Sequence, residues 1–166
     1  DLDMERRRCY VKRVNVDYYT QPLGGENVHH IDHRLREKPF GTGTAYWGEV
    51  TAYERTWGYE KVHFYELDAV SRHGLDLPTL VLETMAVWLE PPESLMEEVR
   101  VSGLDAHSGL RGIGYATRML LPAFMTCDTL DFSHSVGSAN SSWQTVFIYE
   151  NYLHGLGFTE NAYERL

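Results

Sequence analysis

The stretch Ala106-His107-Ser108-Gly109-Leu110-Arg111-Gly112-Ile113-Gly114-Tyr115-Ala116-Thr117 holds the residues of this sequence best suited to chemistry. Gly112 and Gly114 leave the backbone bare where a helix is expected to begin, and the first N–H groups of a helix have no partner inside it. With the positive end of the helix dipole, such amides make a seat for a phosphate or pyrophosphate. Arg111 would add a charged donor. A tight strand-to-helix connection that binds nothing accounts for the same residues. Neither the three-glycine dinucleotide fingerprint nor a Gly-Lys-Ser/Thr triphosphate loop is present. A second cluster, His29-His30-Ile31-Asp32-His33, places two histidines four apart on a possible helix, a spacing that suits a shared metal. No third ligand stands at a recognisable spacing, His63 and His73 being remote, so a polar helix is the reading and no metal is expected. Arg6-Arg7-Arg8 reads as a solvated basic terminus.

The elements that would position these residues follow from periodicity. Residues 8–19 alternate β-branched and aromatic side chains and predict a first strand. The polar stretch Glu26 to Arg36 suits one helix. Residues 45–55 and 60–70 predict two strands joined near Gly58, and residues 79–89 a buried strand stopped by Pro91-Pro92. A strand is expected over 96–106, with Val99 and Val101 on one face. Ile113, Ala116, Leu120 and Ala123 or Phe124 then recur at helical spacing, so residues 112–125 predict a helix that Pro122 ends or kinks. A strand over 129–136, a last helix from Ser141 to Leu153 closed by Gly155 and Gly157, and a short strand from Phe158 complete the chain. Strands first, then strand–helix–strand–helix–strand, is the order of a mixed α/β or α+β domain.

Composition sets outer limits. The 166 residues suit a single domain. Apolar residues at 43% and charged residues at 23% are globular values, which excludes disordered and fibrous classes. No apolar run is long enough for a membrane span. A net charge of −9 argues against a passive nucleic-acid binder unless basic residues cluster on one side. Two distant cysteines, Cys9 and Cys127, suit a reducing compartment, and the cytoplasm is the expected location.

Arg111-Gly112-Ile113-Gly114-Tyr115-Ala116 satisfies the pattern Arg/Gln-x-x-Gly-x-Gly/Ala, and in this the sequence resembles the GNAT N-acetyltransferase superfamily. His107-Ser108-Gly109-Leu110 follows that family's His-Pro-x-Tyr lead-in with Ser for Pro and Leu for Tyr. Downstream, Asn140, Tyr149 or Tyr152, and Gly157-Phe158 stand in the family's order, although Leu153 occupies the place of its usual tyrosine and the span before Phe158 is longer. The resemblance covers residues 96–160 and leaves 1–95 as strands and acceptor-side elements of the one domain.

The resemblance implies a mostly antiparallel central sheet with flanking helices and a splayed strand pair. It implies acetyl-coenzyme A as co-substrate, its pantetheine arm against Leu104, Asp105 and Ala106. Its pyrophosphate would lie on the backbone of Arg111, Gly112, Ile113, Gly114, Tyr115, Ala116 and Thr117, with Asn140 beyond. Tyr152, or else Tyr149, would be the general acid, and Asp105, Glu83 or His134 the base. The implied activity is acetyl transfer to a primary amine in a ternary complex, with no membrane or nucleic-acid partner and a possible homodimer that completes the sheet. A catalytically silent binding module, or transfer of another group to an acceptor such as a nucleobase, are the alternatives.

Overall fold

A computed structural model describes residues 2–3 and 5–166, with the backbone alone at Leu2. The chain divides into two compact units, one of residues up to Leu23 with Thr56–Leu77, the other of Gly24–Arg55 with Pro78–Leu166. Two long strands, β3 (Tyr18–Phe40) and β4 (Gly43–His63), contribute to both.

In the first unit, β1 (Leu2–Asp3) pairs antiparallel with β2 (Arg8–Cys9). The far half of β4 pairs antiparallel with β5 (Ala69–Gly74), with a bulge between Lys61 and Val62. Gly58 lets these strands close up, since a Cβ there would lie 2.5 Å from the His73 carbonyl oxygen.

In the second unit β4 pairs with β6 (Leu80–Glu90), β6 with β8 (Val146–Glu150), and β8 with β7 (Phe132–Val136), every pair antiparallel. Among the described residues the whole sheet counts six strands, in the order β3-β4-β6-β8-β7 with β5 beside β4. Period-two alternation sorts its side chains. Val50, Ala52, Ala86, Trp88, Phe147 and Tyr149 share one face with Val28 and Ile31 of β3. Ala45, Val87, Ile148 and Phe132 face the other way, under Leu121, Ala162 and Tyr163.

The two edges of this sheet meet. Val28 N–H donates to Ser135 Oγ at 3.1 Å, and Ala139 N–H donates to the His29 carbonyl at 2.8 Å. Asn140 completes the seam by accepting from Ile31 N–H and donating to the Ile31 carbonyl, both at 2.8 Å. The first face is thereby enclosed, and Trp88 and Phe147 are fully buried.

Three helices stand among the described residues: α1 (Glu93–Val101), α2 (Ala106–Leu120) and α3 (Phe158–Arg165). Pro91-Pro92 does end β6, and Pro92 is the N-cap of α1. A turn through Gly103 (φ 70°) leads to Asp105, which caps α2 by accepting from Ser108 N–H. Pro122 sits in a 3-10 turn, Leu121–Ala123, directly after α2.

The mixed α+β class and the antiparallel sheet agree with expectation, as do the strands near 79–89 and 129–136. Six elements differ. Residues 10–17 hold no strand, because β2 ends at Cys9 and β3 begins at Tyr18. Residues 43–63 form one continuous strand in which Gly58 lies mid-strand, its missing side chain serving close approach to His73 rather than a turn. The segment 96–106 is α1 and a turn rather than a strand. Its Val-x-Val pattern is too short to set a period, while the Glu97–Arg100 and Glu93–Arg100 pairs support a helix. The segment from Ser141 holds β8 rather than a helix. Every residue of Val146–Glu150 is buried, so the alternation that marks a strand is absent and Val-Phe-Ile-Tyr is the remaining signal. The polar run Glu26 to Arg36 is edge strand, not helix. The end from Phe158 is helix, with Thr159, Ala162 and Tyr163 on its inner stripe. No helix among the described residues is long and apolar enough to cross a membrane.

Candidate functional site

The amide seat expected around residues 112–116 does not exist. Because α2 starts at Ala106, Gly112 and Gly114 lie inside the helix, where N–H groups are taken by carbonyls four residues back. Gly114 is there for packing: a Cβ would stand 2.8 Å from the His134 ring on β7. Gly112 faces open space. Arg111, Ile113, Tyr115 and Ala116 are exposed along the helix, and Thr117 is half-buried. Leu104 and Asp105 belong to a turn and Ala106 to the first turn of α2, so no strand end is offered to a pantetheine arm. No strand pair splays either, since the expected fourth strand is a helix and β7 is laddered to β8 along its length.

Each proposed catalytic residue has a structural task of its own. Asp105 caps α2, with Ser108 Oγ donating to it at 2.6 Å, and those Ser108 hydrogen bonds hold its carboxyl below the usual range. Tyr149 lies mid-strand in the enclosed face, where burial drives its phenol well above the ordinary value. Tyr152 donates its hydroxyl to Asp131 Oδ1 at 2.6 Å, which raises the phenol. Asn140 is the seam residue described above, its amide taken up by the Ile31 main chain. His134 is half-buried against α2, and burial, then Arg118, lowers its pKa. Glu83 accepts from His154 N–H through its main-chain carbonyl.

The histidine cluster is strand, not helix, so His29 and His33 stand about 13 Å apart along β3. His29 stacks on Tyr53 at 4.3 Å, His30 Nε2 lies 2.7 Å from Asp32, and His33 Nδ1 lies 2.8 Å from Glu49. His33, Asp32 and Glu49 join Glu83 and His154 around a cavity of about 410 Å³. Among the described residues no group of three His, Cys, Asp or Glu is placed to hold a metal.

The structure assembles three features that motif reading missed. The first is a buried carboxylate. Glu150, fully buried at the end of β8, accepts from Thr159 N–H and Thr159 Oγ, both at 2.8 Å, and from Leu156 N–H. It anchors the first turn of α3 to the sheet. The second is an apolar groove of about 560 Å³ between α2, α3 and the sheet, with Leu120 and Phe124 exposed at its rim.

The third lies in the first unit. Residues 6–13 hold five of the fifteen Lys and Arg and no acid, and all eight are exposed. Arg6 pairs with Asp3, whereas Arg7, Arg8, Lys12 and Arg13 have no ion pair among the described residues. On the same unit, Trp57, Tyr59 and Lys61 alternate along β4 and so share a face. Tyr18, Tyr59 and Lys61 line a groove of about 460 Å³, with Lys61 Nζ 4.8 Å from the Tyr18 ring centre. The acid-free run was visible in the sequence, but a charge averaged over the whole chain hid it.

No protein-family model matches the chain. Its fold is similar to that of a segment of solved helicase structures. It is similar to the DUF1998 helicase MrfA bound to DNA, with a TM-score of 0.64 and 22% identity over 99% of this chain and 22% of that one. The same helicase bound to DNA and AMPPNP gives a TM-score of 0.55 and 23% identity, over 99% of this chain and 19% of that one. In sequence the chain is 27% identical, over 168 residues, to the uncharacterized ATP-dependent helicase YprA of Bacillus subtilis (strain 168). That match takes in 99% of this chain and 22% of YprA, so the chain spans about a fifth of the length of the relatives it matches.

These similarities overturn the acetyltransferase reading. The relatives are helicases, not N-acetyltransferases, and the related structures hold DNA and an ATP analogue rather than acetyl-coenzyme A. The acetyl-coenzyme A co-substrate, the amine acceptor and the exclusion of nucleic acid fall together, and so do the silent-module and nucleobase-transfer alternatives. The physical reason is the one already given: six residues matched a loop pattern, but they lie inside a helix.

Proposed function

We propose that this chain is a non-motor segment of an ATP-dependent DNA helicase of the MrfA and YprA kind. The observation that carries this reading is the match to YprA over 99% of the chain. The same span matches in fold a helicase held on DNA. The segment contributes shape rather than reaction chemistry: a sheet whose edges are sealed by the Asn140 seam, with helices capped by Asp105 and anchored by Glu150. Its sequence carries no Gly-Lys-Ser/Thr loop, so ATP binding falls to other parts of the polypeptide. Acting on DNA, it works in the cytoplasm.

The native polypeptide tests this. Antibodies raised against the chain should detect, in extracts of its source, a protein several times larger than 19.1 kDa. Purified, that protein should hydrolyse ATP faster when DNA is added. A native product of the chain's own size, or a large one whose ATPase ignores DNA, refutes the proposal.

A further inference from the structure

Charge is unevenly divided between the two units. The first unit holds seven of the fifteen Lys and Arg against eight of the twenty-four acids, whereas the second holds eight against sixteen. A polyanion is therefore repelled by the second unit and met by the first, where the run of residues 6–13 is a local excess of positive charge. We propose that the first unit binds single-stranded DNA, the basic run following the phosphates while the β4 aromatics stack on unpaired bases. This deepens the helicase reading and rests on it for the choice of DNA as ligand.

Three observations support the pairing of run and platform. The four cations Arg7, Arg8, Lys12 and Arg13 are exposed and have no carboxylate partner among the described residues, so no ion pair must be broken before a phosphate is met. The platform is continuous with them in sequence, because Arg13 stands five residues before Tyr18, a separation of at most about 18 Å. Asp17 between them is fixed, its carbonyl accepting from Phe64 N–H at 3.1 Å. The platform itself offers one flat ring in water, Trp57 at 52% exposed, beside a groove lined by the half-buried Tyr18, Tyr59 and Lys61, where Tyr59 stacks on His73 with ring centres 5.0 Å apart. An exposed ring beside cations is what an unpaired base requires, because stacking is available to any base and to none that is already stacked in a duplex.

The magnitude is predictable. Each phosphate neutralised on a single strand contributes about −0.7 to the slope of log affinity against log salt. Four contacts give about −2.8, so affinity should fall about 50-fold between 50 and 200 mM salt. The experiment is fluorescence anisotropy with the whole chain and a labelled oligothymidylate of about 20 nucleotides, compared with a duplex of equal length. Replacing Arg7, Arg8, Lys12 and Arg13 together by Gln should remove most of the slope, and Trp57→Ala should weaken binding about 5- to 160-fold and leave the slope unchanged. Since Trp57 is exposed, its fluorescence should be quenched on binding and silent in that variant. No binding at 50 mM salt, an unaltered slope in the fourfold variant, or tighter binding of the duplex overturns the proposal. None of these outcomes touches the native-size and ATPase test above, so the two readings fail separately.

Discussion

Removing the carboxylate of Glu150 should detach α3 from the sheet. One of its oxygens accepts two hydrogen bonds from Thr159, and the other accepts from Leu156 N–H, with the whole side chain out of water. In Glu150→Gln the amide oxygen keeps the Thr159 pair, while the new NH2 faces Leu156 N–H, donor against donor. Leu156 N–H loses its acceptor and the NH2 facing it gains none, a cost of at least about 1–3 kcal/mol. Glu150→Ala strands all three donors and leaves a void, so its cost should rise to about 3–5 kcal/mol. For a chain of this length each kcal/mol lowers Tm by about 2–4 °C, so the glutamine variant should melt about 2–12 °C lower and the alanine variant lower still. Amide hydrogen exchange locates the effect, with protection lost first at Leu156 and through α3. Trp47 is a second reporter, because its indole N–H donates to Thr159 Oγ at 3.3 Å. If both variants melt within 1 °C of the parent and α3 keeps its protection, the carboxylate is not the anchor and the reasoning fails.

The two α2 and β4 glycines offer opposite outcomes: Gly112→Ala, into open space inside a helix, should stabilise by about 0.5–1 kcal/mol, whereas Gly48→Ala should destabilise by more than about 3 kcal/mol, its Cβ falling 2.0 Å from the His33 carbonyl oxygen; thermal melts decide both. Ser108→Ala should raise the Asp105 carboxyl toward its ordinary value in an NMR titration, because Ser108 supplies the hydrogen bonds that depress it. With that depression intact, the cap's contribution is complete above the unfolded carboxylate pKa and fades as pH falls through the lower folded one. His134 carries the opposite charge type. Its folded pKa is lowered by burial, so the unfolded chain binds the proton more readily, and stability should decline as pH drops below about 6.5 and level off below the folded value. Denaturant midpoints at several pH values should show that decline, and His134→Gln should flatten it.

The Arg111–Ala116 motif shows how a short pattern misleads. Its glycines are consistent with an open loop only if a strand precedes them, and two valines are all that makes the preceding Met-Glu-Glu-Val-Arg-Val resemble that strand. With α1 there instead, the capping signal Asp105-x-x-Ser108 marks the start of α2 six residues before Gly112. That signal was in the sequence and is stronger than the glycines, since a side chain that accepts from the third residue of a helix fixes where the helix begins. The strand β8 was harder to read. Its five residues are covered on both faces, so only their β-branched and aromatic types distinguished them from a buried helix.

By itself the sequence determined the punctuation and the inventory: the stop at Pro91-Pro92, the alternating faces of β4 and β6, a mixed helix-and-strand class, and an acid-free basic run before Tyr18. Those are local properties, set by backbone sterics and by side-chain period, and they survive in any fold the chain adopts. Tertiary structure alone decided what lies beside what. The Asn140 seam joins residues 109 apart, the Glu150 anchor serves a helix the sequence did not announce, and Gly114 is small because His134 arrives from another strand. Such contacts depend on how distant segments share one enclosed face, and no window of neighbouring residues contains that information.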